Sequence, residues 1–382
     1  MQKIRDGYKR LGDYIEPVDE RNSKLSVKLS QGICNNKYFI TPRQVAENSA
    51  NDKIVRTGQF AYNRATTRNG DKISIAYREG PDCTVSSAYQ VFRIKDENQL
   101  NPYYLWMWFR RPEFDRYARF KSRGSAHEFF EWDEMCEVYL PIPDIDTQRR
   151  IVAEYQTVEA RIAANDKMIA KLEETAQTLY KKMFVDDIDP ENLPDGWRLT
   201  TLESLSDCII AGTIPNYSDE GSEFVLGQKC IYDHKVRLDK ARRHIPKASC
   251  KYVKYGDLLI NSTGDGTLGR VGQVFFEPKL LAFDSNMTLV RPANKNLIDY
   301  LYLFLQSKEE FFVSISQGST NQTRLYCSMV KPVDVILPPE DLLIVFSRRM
   351  DPINALSRQL EEEQPLLRQM LSLFQSRVSN QQ

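Results

Sequence analysis

The chain has 382 residues, more than one average domain and enough for two or three. With 41% apolar and 11% aromatic residues each unit can bury a core, and no apolar run approaches the roughly 18 residues of a membrane span. Fifty-two basic residues balance 52 acidic ones; this disfavours a stand-alone nucleic-acid binder with a global basic excess but leaves local charge free to act.

Residues 1–13 are polar and charged and lack the apolar core and cleavage site of a signal peptide, so the expected compartment is cytoplasmic. The seven cysteines, Cys34, Cys83, Cys136, Cys208, Cys230, Cys250 and Cys327, form no C-x-x-C pair and are odd in number. That argues against a disulfide framework and a zinc ribbon, and three scattered histidines make no His-rich metal site. The cysteines are expected to be free and mostly buried.

From residue 55 onward the chain carries segments that recur about 195 residues later. Residues 55–63, VRTGQFAYN, match 253–261, VKYGDLLIN: a basic residue, a Gly turn, an apolar strand, then Asn. Residues 87–93, SAYQVFR, match 285–291, SNMTLVR. Tyr104-Leu105-Trp106 in a helix-like segment match Tyr300-Leu301-Tyr302, and Gly124-Ser125 match Gly318-Ser319. Residues 140–144, LPIPD, resemble 336–340, ILPPE. The order is preserved, and the period is far too long for a solenoid. It indicates duplication of a whole domain with the segment after it, a pattern that a duplicated enzyme or scaffold would share.

A helical pattern follows each Pro-rich motif. In the first, Ile151, Tyr155, Val158, Ile162, Asn165, Ile169, Leu172, Ala176, Leu179 and Met183 alternate four and three apart, a heptad seam of about five heptads. Asp146 and Thr147 are the expected N-caps, charged residues such as Glu154, Arg161, Lys171 and Glu174 fill the outer face, and Pro190 marks the end. Asn165 either fixes register inside the seam or faces solvent at a frayed interface. In the second, Phe346, Ile353, Leu356, Leu360, Leu367, Met370 and Phe374 continue a similar seam, with Pro352 and Pro365 expected to kink or break the helix. The two stripes can cover each other as an antiparallel pair, which places the globular units at opposite ends. A 35-residue rod is roughly 50 Å long, the right order to hold two heads one duplex turn, about 34–36 Å, apart.

This arrangement resembles the specificity (S) subunits of type I restriction-modification enzymes over essentially the whole chain. The resemblance is carried by the repeat, by Pro143-Asp144-Ile145-Asp146-Thr147-Gln148 opening the first helix, and by Leu193-Pro194-Asp195-Gly196-Trp197 opening the second half. Residues 338–343, PPEDLL, depart from the pattern by lacking the Gln. The resemblance implies an α/β (α+β) fold: two target-recognition domains, 1–146 and 186–339, and two long spacer helices, 147–185 and 340–382, paired as an antiparallel coiled coil in a pseudo-two-fold repeat. Each head would resemble the recognition domain of gamma-class adenine methyltransferases and read one half of a split double-stranded DNA target. The helices would set the gap and dock two methyltransferase (M) subunits, with nuclease/translocase (R) subunits joining for cleavage. S-adenosylmethionine, ATP and Mg would belong to those partners, leaving no catalytic, cofactor or metal site in this chain.

Base reading needs Arg or Lys for guanine, Asn or Gln for adenine, and small hydroxyls on exposed loops. The loop 63–72 offers Asn63, Arg64, Thr67, Arg68, Asn69 and Lys72; its counterpart 261–270 offers Asn261, Ser262, Thr263 and Arg270. Lys72 and Arg270 fall at equivalent positions as candidate phosphate contacts. A second loop, 121–127, offers Lys121, Arg123, Ser125 and His127, matched over 316–324 by Gln317, Thr320, Asn321, Gln322 and Arg324. Ordinary polar loops are the bland alternative for each.

Two motifs mimic chemistry. Residues 264–269, GDGTLG, fit the G-x-G-x-x-G dinucleotide pattern but lead into a strand-like run, where the fingerprint needs a helix N-terminus. Asn101-Pro102-Tyr103-Tyr104 suggests a methyltransferase Asn-Pro-Pro-Tyr motif lacking its second Pro; an N-cap followed by Pro at the first helical position explains it better. Trp106, Trp108, Tyr38-Phe39 and Phe129-Phe130 read mostly as core. Two rival functions stay open at this point: a DNA adenine methyltransferase with fused recognition domains, which methyl transfer by the purified chain alone would reveal, and a coiled-coil scaffold without a nucleic-acid role, which would give no footprint on DNA.

Overall fold

The structure is a computed structural model that describes residues 7–42, 49–65, 72–122, 128–318 and 323–377. It divides into two compact units, Met1–Asn165 with Glu363–Gln382, and Asp166–Glu362. The fold is mixed α/β, and each unit holds one globular head and a stretch of both long helices.

In the first unit, head 1 is built on a four-stranded antiparallel sheet in the order Ile15–Val18, Tyr89–Ile94, Phe60–Asn63, Ile75–Tyr77. Helix α1 (Pro102–Phe109) is apolar on nearly every face and is buried almost entirely, as expected for a helix with protein all around it. Asn101 caps it, its side chain accepting from the amides of Tyr103 and Tyr104, with Pro102 at the first turn. Helices α2 (Pro112–Lys121) and α3 (Trp132–Cys136) follow. A short strand, Tyr139–Pro141, then pairs with Tyr8–Arg10 and leads into the long helix α4 (Ile145–Phe184). Trp106, Trp108 and Phe130 are buried, as expected; Tyr38 is not, at 54% exposure.

The second unit repeats the plan. Ser206–Ala211, Met287–Pro292, Leu258–Asn261 and Val271–Gln273 form the same four-strand order, extended by Lys235–Val236 and Ile231–Tyr232. Helix α5 (Ile298–Gln306) takes the place of α1; α6 (Glu309–Ile315) and α7 (Cys327–Val330) follow. Asp334–Leu337 pairs with Arg198–Thr201 and leads into α8 (Glu340–Arg377). One hydrogen bond recurs in both heads: the Tyr104 hydroxyl donates to the Pro141 carbonyl at 3.1 Å, and that of Tyr300 to the Ile336 carbonyl. The amide cap of the second head is Asn294, two residues before the Asn296 of the matching stretch.

Within each unit the two long helices run antiparallel. In the first, Tyr155 receives Gln375 and Arg161 grips Glu363; in the second, Tyr180 packs on Phe346 and Ala176 joins the core with Met350. Every seam position expected on α4 is buried or half-buried. Asn165 lies inside the seam at 2% exposure, its amide donating to Glu363 at 2.8 Å, so it does not face solvent. The N-cap of α4 is Asp144, not Asp146 or Thr147. Its carboxylate accepts from the Thr147 amide and hydroxyl at 2.9 and 2.8 Å.

Helix α8 corrects two expectations. It is continuous through Pro352 and Pro365. Both prolines are exposed, so the carbonyls they leave without a helical partner lie on the face that water reaches. Its seam runs through Leu343, Phe346, Met350, Ile353, Ser357, Leu360, Gln364, Leu367, Leu371 and Phe374, all buried or half-buried, while Leu356 and Met370 are exposed. Phe346, Ile353, Leu360, Leu367 and Phe374 fall where expected, while polar Ser357 and Gln364 hid the alternate seam positions. Of the seven cysteines, two (Cys83 and Cys230) are buried and five are half-buried, so the thiols are less enclosed than expected.

Candidate nucleic-acid interface

In head 2 the strand Leu258–Asn261 ends in a loop whose root is anchored inside the head. Asn261 is fully buried and its amide donates to the Gln228 carbonyl at 3.1 Å. The Ser262 hydroxyl meets that of Thr288 at 2.7 Å, also buried. These two side chains brace the loop and do not reach its surface. The chain then reverses through Gly264 and Gly269, at φ +107° and +85°; a Cβ on Gly269 would stand 2.7 Å from the Glu309 carbonyl. The strand Val271–Gln273 follows directly, so the glycine pattern opens no helix and is a turn device.

The second expected loop comes to the same place. Gln317 and Arg324 exchange backbone hydrogen bonds at 3.0 and 2.8 Å, Arg324 bridges to Thr263, and the Leu325 amide donates to the Ser262 carbonyl at 2.8 Å. Between the loops lies a cleft of about 660 Å³, lined among others by Gln228, Thr263, Asp265, Val313, Ser316 and Arg324. The Arg324 guanidinium is positioned by the Ser285 carbonyl at 2.6 Å. The Gln228 amide donates to the Thr263 carbonyl at 2.5 Å and to its hydroxyl. Beside the cleft, burial raises the carboxyl of Asp284, which accepts from the Asn286 amide at 2.8 Å. The lining joins a guanidinium, a carboxamide, hydroxyls and an exposed carboxylate, the donor and acceptor types that distinguish base edges.

Arg270 is half-buried and donates to the Gly266 carbonyl at 2.7 Å, holding the loop from below; Gln317 is exposed. Gln228 was invisible to sequence reasoning because it lies on a segment before the first matched block of the second half.

Head 1 repeats the lacing: Ala65 bridges Phe129, and the Phe130 amide donates to the Arg64 carbonyl at 2.9 Å. Arg64 donates to the Ala88 carbonyl and to Glu131, both at 3.3 Å, and Lys121 pairs with Glu134 at 3.0 Å. Asn63 accepts from the Ala65 amide at 3.1 Å, and Lys72 is exposed. Thr67, Arg68, Asn69, Arg123, Ser125, His127, Thr320, Asn321 and Gln322 lie outside the described residues. Among the described residues no group of His, Cys, Asp and Glu is arranged to hold a metal, and no helix is long and apolar enough to cross a membrane.

Comparison with known proteins agrees with this geometry. The specificity subunit of the type I restriction enzyme HindI of Haemophilus influenzae is 20% identical over 372 residues, covering 78% of this chain and 80% of that protein. The crystal structure of a type I restriction-modification S subunit from M. genitalium shares the fold, with a TM-score of 0.64 and 10% identity over 100% of this chain and 98% of that one. A family model, the type I restriction modification DNA specificity domain, matches twice, at residues 14–174 and 194–362. The chain therefore belongs to the type I restriction-modification specificity family, as a DNA-recognition subunit that is not itself the methyltransferase.

Proposed function

We propose that each head reads one half of a split duplex target, that the cleft between the two laced loops is the reading surface, and that the long helices set the gap. The heads are residues 1–146 and 186–339, the spacer helices 147–185 and 340–382. The observation that carries this reading is the recurrence of one backbone device. Ala65–Phe129 in head 1 and Thr263–Arg324 in head 2 each tie the loop after the central strand to the loop after the second helix. In head 2 the contact set is Thr263, Gln317 and Arg324 with the added Gln228; in head 1 it is Asn63, Arg64, Lys72 and Lys121. Arg64 and Lys121 each hold a carboxylate that a phosphate or base edge would replace. The partners are two methyltransferase (M) subunits and, for cleavage, nuclease/translocase (R) subunits. Those partners bring S-adenosylmethionine, ATP and Mg, and the complex works in the cytoplasm.

The ruler can be tested by removing one heptad from each long helix and mapping the modified sites of the assembled methyltransferase. The expected result is a changed gap between unchanged half-sites. Altered half-sites, or an unchanged gap, would contradict it.

A further inference from the structure

The chain is neutral overall, yet residues 235–254 hold eight Lys and Arg against one acidic residue, Asp239. The corresponding stretch of head 1, residues 37–56, holds four basic and two acidic residues. The described cations of that head 1 stretch are all neutralised: Lys37 by Asp115, Lys53 by Asp19, Arg56 by Glu20 and Asp82. In head 2, Lys235 is held by Glu173 and Glu361, and Lys240 by its neighbour Asp239. Arg237, Arg242, Arg243, Lys247, Lys251 and Lys254 pair with no carboxylate among the described residues, and all but Lys251 are exposed.

Arg242 and Arg243 are held in place without being neutralised. Arg242 lies over the Tyr217 ring at 3.7 Å and Arg243 over Phe224 at 4.9 Å; Arg243 also donates to the Gly221 carbonyl at 3.0 Å. Stacking fixes a guanidinium and leaves its charge available. The strip also adjoins the cleft. The edge strand Arg242–His244 runs antiparallel to Glu223–Leu226, with Arg242 opposite Val225, and that neighbouring strand continues into Gln228 on the cleft wall. From the other side, the Asp284 carboxylate faces Tyr217, which lies under Arg242, and the next residue, Ser285, holds Arg324.

We propose that the strip Arg242–Arg243–Lys247 at the sheet edge of head 2 grips the phosphate backbone of the bound duplex regardless of sequence, whereas the described cations of the corresponding head 1 stretch are neutralised. This rests on the cleft being the reading surface. Phosphate contacts release counterions and set the salt dependence of binding, whereas base contacts set sequence preference. The two heads would then divide the work unequally, with head 2 supplying the larger share of salt-dependent affinity.

The test uses the full chain assembled with its methyltransferase subunits. Arg242→Gln, Arg243→Gln and Lys247→Gln are combined, and binding is measured across a salt series on the target duplex, on duplexes with either half scrambled, and on unrelated DNA. The expected result is the same fold-loss on every duplex and a log–log salt slope shallower by about 2–3, roughly 0.9 per phosphate contact. Arg242→Lys with Arg243→Lys keeps the charges and should keep the slope, which separates lost charge from a damaged fold. An unchanged slope, or a loss confined to one half-site, overturns the proposal. So does impaired assembly with normal DNA binding by whatever assembles, which would mark the strip as a face for an acidic protein. If Arg324→Ala leaves discrimination against scrambled duplexes intact, the cleft reading fails while the slope result still decides the strip.

Discussion

The two heads use one bracket with different basic residues. In head 1 the tip of a small hairpin, Lys37 at φ +68°, reaches Asp115 on α2 at 2.8 Å, and Asp115 also accepts from the Ile73 amide at 3.2 Å. In head 2 the tip of the corresponding hairpin, His234 at φ +56°, reaches Glu309 on α6 at 3.1 Å, and Glu309 accepts from the Val271 amide at 2.8 Å. In both heads a carboxylate thus ties a helix to a strand start and to a left-handed turn. Lys37 is enclosed at 5% exposure, whereas the His234 side chain is 43% exposed. The comparison teaches that the duplicated scaffold retains the geometry beside the laced loops while the side chains meeting there have diverged.

The largest expected effect tests that bracket where it is buried. Asp115→Ala leaves the Lys37 ammonium without its partner in a site that already lowers its pKa by desolvation. The variant should lose about 3–5 kcal/mol of first-unit stability, read by calorimetry or hydrogen exchange, with the second unit unaffected. A loss shared equally by both units would break the comparison. Next, Arg324→Ala should weaken binding at one half-site only, by about 1–3 kcal/mol if the residue reads a base; Arg64→Ala should do the same at the other half. Equal losses on all sequences would make either residue a phosphate contact.

A smaller effect tests the common skeleton. Tyr104→Phe and Tyr300→Phe each remove the hydroxyl that binds the last strand before a long helix, and each should cost about 1 kcal/mol in its own unit. The smallest effect is pH-dependent. The hydrogen bond and charge of Glu309 raise the pKa of His234 above its ordinary value of 6.5. The native state therefore binds the extra proton more tightly than the unfolded chain. This contribution is complete below pH 6.5 and fades as pH rises through the folded value. Protection of the Val271 amide should fall over that window, and His234→Gln should flatten the change.

Much of the fold was legible in the sequence because duplication prints the same strand and helix periods twice. The strand at 60–63, its partner at 258–261, α1, α5 and the seam of α4 all follow from that. The seam of α8 was only half legible: Phe346, Ile353, Leu360, Leu367 and Phe374 lie where expected, but two of the alternate seam positions are polar, and nearby Leu356 and Met370 stood in for them falsely. The bracket was also hidden, since Lys and His at loop tips, or Asp and Glu on helices, share no visible pattern. Loops 261–270 and 316–324 could be named, but burial divided their side chains. Asn261 and Ser262 turn inward, while Thr263 and Arg324 line the cleft that Gln228 completes.

The most direct test of the account is to map methylated adenines made by the assembled enzyme, with this chain unaltered and with Gln228, Thr263 and Arg324 replaced together. The account predicts a target in two parts separated by unspecified bases, and a variant whose specificity changes in one part while the other part and the gap stay the same. A continuous target, or simultaneous change in both parts, would contradict it.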